Sequence, residues 1–162
     1  MDAISDSRLS LVHPLLRSRI ISLVTQLEIE DIPIRVMQGV RTWDQQNALY
    51  AKGRNGVPGP IVTDAPAGSS WHNFGLACDI VPMDIAPGQP DWDTSHPAWQ
   101  RIIALAPIYK LFSGSQFRTF PDWPHVQPVE IPESPTDTDR QDFTDGGTIS
   151  VWKQYFPDFS YS

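Results

Sequence analysis

The chain has 162 residues, 40% hydrophobic and 19% charged, which suits one soluble globular domain with its own core and excludes a disordered chain. A formal net charge of −7 and a pI near 4.8, with no basic stripe, make nucleic acid a poor partner. The lone cysteine, Cys78, excludes a disulfide framework, and no stretch approaches the run of about 20 apolar residues that spans a bilayer, so membrane insertion is not expected.

The opening Met1-Asp2-Ala3-Ile4-Ser5-Asp6 is acidic and lacks the apolar stretch of a secretory signal, so synthesis in the cytoplasm is expected. From Pro14 to Glu28, Leu15, Leu16, Ile20, Val24 and Leu27 recur at helical spacing, with Pro14 near the first turn. Ile34 to Val40 alternates and is predicted as a strand. Thr42 caps a second helix that runs to Lys52, with Gly53 just beyond it. Residues 55–68 form a glycine- and proline-bearing loop, and Phe74 to Val81 read as a buried strand carrying Asp79. A loop from Pro82 to Thr94 leads to a third helix, His96 to Ala106, with Ser95 as its cap and Pro97 in the first position. A strand within residues 108–117 enters a glycine turn at Gly114, and His125 to Pro128 form a short closing strand. The chain is then polar and proline-rich through Asp145, with a short helix from Thr148 to Tyr155. With 16 prolines, an irregular α+β domain is expected rather than a helical bundle. Residues 1–128 are assigned to the catalytic unit and 129–162 to an extension packed on the same domain.

Two segments carry the chemistry. Ser70-Trp71-His72-Asn73-Phe74-Gly75-Leu76-Ala77-Cys78-Asp79 and Asp122-Trp123-Pro124-His125 together offer two imidazoles and two carboxylates. Three protein ligands with one open position is the catalytic form of zinc, whereas structural sites take four ligands, usually rich in cysteine. His72, Asp79 and His125 are therefore candidate ligands, and the set points to hydrolysis by metal-activated water. His72 and Asp79 are seven apart and cannot both face one side of a straight strand. A bend at residues 73–75, eased by Gly75, would put His72 on the entering turn and Asp79 on the strand, with small Ala77 leaving room beside the metal. Pro124 excludes a helical two-histidine motif; a turn there presents His125 and leaves Asp122 as the base that later returns its proton to the leaving amine. Arg41 is a candidate for stabilising the developing oxyanion, being permanently charged and rich in donors.

These residues, with Gln38-Gly39-Val40-Arg41-Thr42 and Gln46-Asn47-Ala48-Leu49-Tyr50-Ala51-Lys52-Gly53-Arg54, resemble the zinc D-Ala-D-Ala carboxypeptidase family over roughly Val12 to Gln127. Within it they are most similar to the L-alanyl-D-glutamate endopeptidases of phage endolysins and bacterial cell-wall hydrolases. The resemblance implies a small single α+β domain, an antiparallel sheet flanked by helices, of the hedgehog/DD-peptidase kind. It implies zinc held by His72, Asp79 and His125, Asp122 as general base, Arg41 polarising the scissile carbonyl, and Ser70 near the substrate. The implied partner is the peptidoglycan stem peptide, reached after release from the cell. A D-Ala-D-Ala carboxypeptidase or dipeptidase is the alternative activity, and a catalytically silent wall-binding module the alternative class, against which the retained Asp122 argues. One departure bears on the substrate: Ser113-Gly114-Ser115 stands where the family has Trp-Gly-Gly, with Phe117 where tryptophan is common.

Other chemistry-bearing residues read as structural. His13 and His96 are ordinary core or surface histidines, Cys78 fills core rather than acting as a nucleophile, and Asp91 to Ser95 form a solvated turn rather than a calcium loop. Trp71 and Trp123 flank ligands and are expected to shape the site.

Overall fold

In a computed structural model, which describes residues 1–84 and 88–161, the chain begins with a helix that its polar composition does not announce. In α1 (Ala3–Leu9) the Asp2 side chain caps the Ser5 N–H, and only Ser5 and Leu9 are buried. Its anchorage is tertiary. Ser5 Oγ accepts the Val36 N–H at 3.0 Å, and Arg8 donates to the Val36 carbonyl at 2.7 Å, so α1 satisfies polar groups that an edge strand would otherwise expose.

Among the described residues there are five α-helices and a four-stranded antiparallel sheet of order β1-β2-β4-β3. The strands are β1 (Ile34–Gln38), β2 (Cys78–Pro82), β3 (Leu111–Ser113) and β4 (His125–Pro128). The helix expected from Pro14 is α2 (Pro14–Ile29), which buries Leu16, Ile20, Leu23, Val24 and Leu27. With α4 (Pro97–Leu105) it contributes to one core that includes Val36, Ile80 and Val126 from the sheet, Trp99 and Ile102. α3 (Trp43–Ala51) starts from a reciprocal cap between Thr42 and Gln45.

Four expectations change. The cap of α4 is His96, whose Nδ1 accepts the Ala98 N–H, while Ser95 turns to Asp93; Pro97 at the first helical position makes the residue just before it the extended one. β1 ends at Gln38, after a shift in its register with β2 between Val36 and Gln38. The strand expected from Phe74 begins only at Cys78: residues Trp71–Phe74 form a 3₁₀ turn closed by Gly75 at φ 67°. The polar stretch before Asp145 is helical. α5 (Asp137–Tyr155) is capped by Thr136 and Asp139 and kinks at Gly147, so the helix expected from Thr148 is its second half. Of the expected loop 82–94, residues 85–87 lie outside the described residues.

α5 lies over the 3₁₀ turn. Trp71, Phe74, Leu76 and Ala77 share a second core with Ile131, Val151 and Phe156, so the small Ala77 side chain is core. The Trp152 indole N–H donates to the Phe74 carbonyl at 2.6 Å. No helix among the described residues is long and apolar enough to cross a membrane.

His13, in this same region, is fully buried. Its Nδ1 accepts the Leu15 N–H at 3.0 Å, so the proton sits on Nε2 and is donated to the Tyr161 hydroxyl at 2.9 Å. Burial, and secondarily Arg19, pushes its pKa down to about 4, from 6.5. The unfolded chain therefore takes up the proton first as pH falls. Stability from this group is complete above about pH 6.5 and is lost on the way down to about pH 4. The loss should be of the order of 3 kcal/mol. Denaturant melts of the wild type and His13→Asn across this interval should differ by a gap that changes with pH; a constant gap contradicts the assignment.

Candidate metal centre

The pairing of β2 with β4 sets Asp79 directly opposite His125. Cross-strand partners lie on one face of a sheet, so carboxylate and imidazole meet without any long-range adjustment. His72 arrives from the 3₁₀ turn, and its carbonyl accepts the Arg41 N–H at 3.0 Å. Asn73 ties the same turn to neighbouring backbone: its Oδ1 accepts from Gly68 N–H and its Nδ2 donates to the Arg41 carbonyl, each at 2.9 Å.

His72 Nε2 lies 3.0 Å and His125 Nδ1 3.9 Å from Asp79 Oδ1, and one ligand atom from each residue falls within 4.8 Å of the others. Tetrahedral zinc with ordinary nitrogen and oxygen bonds needs ligand atoms about 3.3 Å apart, so small side-chain shifts close the site. His72 Nδ1 faces the Gly39 carbonyl at 2.8 Å. A carbonyl can only accept, so Nδ1 holds the proton and Nε2 presents its lone pair to the cluster. The donor set, the direction in which its two rings point and its burial all fit a zinc ion.

The electrostatics agree. Burial alone would raise the Asp79 pKa, but His72, His125 and Arg41 hold its carboxyl well below the usual carboxylate range. Burial, then His72, pushes His125 down to about 4, which keeps its ring neutral at pH 7. Asp122 goes the other way: burial and the Asp79 charge push it up to about 7. Two carboxyls at one site thus differ sharply in proton affinity.

Asp122 and His125 line a cleft of about 370 Å³ together with Ser70, Trp71 and Phe117. Glu133 and Ser134 from the extension line it too, which the sequence pattern does not foretell. The Asp122 turn is interlocked with Gly114. The Asp122 N–H donates to the Gly114 carbonyl at 2.8 Å, and a Cβ on Gly114 would lie 2.6 Å from the Asp122 carbonyl oxygen and 2.8 Å from His125 Cβ. Only glycine fits there. Phe117 packs on the His125 ring at 5.2 Å and on Phe112 at 5.7 Å. Trp123 instead packs toward Trp99 and the first core.

Arg41 lies against the cluster, with Nη2 donating to Asp79 Oδ2 at 3.1 Å and Nη1 to Gln46 Oε1 at 2.8 Å. Its buried Nε–H has no acceptor among the described residues. Gln46 is a neighbour of this group that residue type alone does not reveal: fully buried, it also donates to the Ala65 carbonyl at 2.7 Å and so fixes the arginine's direction. Cys78 is fully buried in the first core and burial pushes its thiol pKa up, which removes it as a nucleophile. His96 serves as a helix cap.

Comparisons with known proteins give the family and the fold. The VanY family pattern, described as D-alanyl-D-alanine carboxypeptidase, matches residues 10–114. The peptidoglycan L-alanyl-D-glutamate endopeptidase CwlK of Bacillus subtilis (strain 168) is 27% identical over 125 residues, covering 73% of this chain and 74% of its own. Among solved structures, the Serratia marcescens L-Ala D-Glu endopeptidase ChiX superposes with a TM-score of 0.57 at 25% identity, over 79% of this chain and 88% of that one. The vancomycin-resistance D,D-pentapeptidase VanY in complex with Zn(II) shares the fold, with a TM-score of 0.54 at 13% identity over 87% of this chain and 83% of that one.

Proposed function

Since the chain belongs to the VanY family of D-alanyl-D-alanine carboxypeptidases, we propose that it is a zinc peptidase of the peptidoglycan stem peptide and that it cuts the L-alanyl-D-glutamate bond. The observation that carries the metal chemistry is the convergence of His72, Asp79 and His125, from a turn and two paired strands, beside a cleft that also holds Asp122. The choice of bond is supported by the Bacillus and Serratia relatives, both L-alanyl-D-glutamate endopeptidases.

His72 Nε2, Asp79 and His125 Nδ1 would hold the ion, which when bound supplies a Lewis acid and a water of pKa about 7. Asp122 then takes a proton from the attacking water and delivers it to the nitrogen of the departing amine. Arg41 donates a hydrogen bond to the scissile carbonyl oxygen as negative charge builds there, an interaction strengthened by its burial. Ser70, on the cleft wall, helps seat the peptide. Residues 1–128 carry this machinery, and 129–162 belong to the same domain, as the packing of α5 on the His72 turn supports. The enzyme would meet its substrate in the wall after release from the producing cell.

The family's own description favours a second reading, D-alanyl-D-alanine carboxypeptidase. Mass analysis of digested muropeptides separates the two. Fragments ending in L-Ala, matched by peptides beginning with D-Glu, are expected. Loss of terminal D-Ala alone would establish the carboxypeptidase instead, and binding without chelator-sensitive turnover would leave a silent wall-binding module.

A further inference from the structure

The geometry points to Gln127 as a positioning residue that, held by the Pro132 carbonyl, decides which nitrogen of His125 is offered to the metal. This rests on the zinc reading above. The chain of hydrogen bonds starts at Pro132, whose carbonyl oxygen can only accept. It receives the Trp71 indole N–H at 2.8 Å and the Gln127 side-chain N–H at 2.9 Å. The Gln127 amide therefore has one orientation: Nε2 toward Pro132, and Oε1 toward His125 Nε2 at 2.9 Å. An amide oxygen cannot donate, so His125 Nε2 must carry the ring proton. That leaves Nδ1 bare, and Nδ1 is the nitrogen facing Asp79 Oδ1 at 3.9 Å.

Strand geometry makes the contact possible. His125 and Gln127 are two apart on β4 and share a face of the sheet. The His125–Gln127 contact is buried, with Gln127 and Trp71 each 1% exposed and His125 5%, while Pro132 itself sits at the surface. Water is therefore a poor substitute for a lost partner. Trp71 immediately precedes His72, so one carbonyl of the extension braces both segments that bear imidazole ligands. The segment after β4 is thereby part of the centre's support, and the neutral amide fixes the ring without adding charge beside Asp79.

Two readouts test this. Long-range ¹H–¹⁵N spectra of the zinc-free wild type should show His125 with its proton on Nε2. Zinc affinity, by competition with a chromophoric chelator, should weaken about 10–100-fold in Gln127→Leu. Gln127→Glu keeps an acceptor for the ring N–H but cannot donate to the Pro132 carbonyl, so it should recover only part of that loss. A role in packing alone would shift the thermal midpoint of these variants without this pattern of affinities. Unchanged zinc affinity in Gln127→Leu, or a His125 proton on Nδ1 in the wild type, overturns the proposal. Should Gln127→Leu fail to fold, the wild-type spectrum and the Gln127→Glu affinity still decide it. A wild type that binds no zinc but keeps its His125 proton on Nε2 removes the zinc reading while supporting the positioning of the ring.

Discussion

Asp122→Asn is expected to lower stem-peptide hydrolysis about 10²–10⁴-fold, the span that a positioned general acid–base contributes. Bound zinc should be unchanged. The substitution is nearly isosteric, and the turn is held by main-chain bonds that survive it: the Asp122 N–H to Gly114 and the His125 N–H to the Asp122 carbonyl at 3.2 Å. What disappears is an oxygen able to take a proton from water and pass it on. Turnover of a defined stem peptide, measured beside the zinc content of the same preparation, checks this. A variant that keeps more than about a tenth of the rate would remove Asp122 from the role of base.

Asp79→Ala should be more damaging, because this carboxylate is the meeting point of the cluster. It touches His72 at 3.0 Å, His125 at 3.9 Å and Arg41 at 3.1 Å. Removing it takes away a ligand and leaves the Arg41 guanidinium, only 11% exposed, without its counter-charge. Breaking a pair this enclosed costs about 3 kcal/mol, so the zinc-free variant should melt below the zinc-free wild type. Zinc content and hydrolysis should both fall to background. His72→Ala provides the contrast: it also loses metal and activity, yet the Arg41–Asp79 pair survives and the stability penalty on that account is absent. Calorimetry on the zinc-free proteins distinguishes the two. Equal melting of both variants would show that the ion pair adds no more to stability than the buried His72 ring and its bond to the Gly39 carbonyl do.

The parts legible in sequence are those where a rare residue type meets a geometric constraint. A separation of seven between His72 and Asp79 demands a change of direction, and the chain supplies a 3₁₀ turn ended by a left-handed Gly75. Pro124 demands a turn before His125, and the main-chain bond from His125 to Asp122 closes one there. The helices at Pro14 and Thr42 were marked by apolar spacing and by caps. Elements that escaped lack such marks. α1 is polar and short, and is held by what Ser5 and Arg8 do to a strand far along the chain. The first half of α5 hides among aspartates and a glycine pair, with its cap placed after the last of a run of prolines. Gln46 and Gln127 are neutral amides whose importance lies in single contacts across the fold, to Arg41 and to His125. Composition and periodicity do not register an amide's direction.

The most direct measurement is the metal content of protein purified without added zinc, taken per chain by mass spectrometry and repeated for Asp79→Ala. One zinc in the wild type and background in the variant is the predicted result. Full hydrolysis of stem peptide by wild-type protein that carries no stoichiometric metal and is indifferent to chelator would contradict the account.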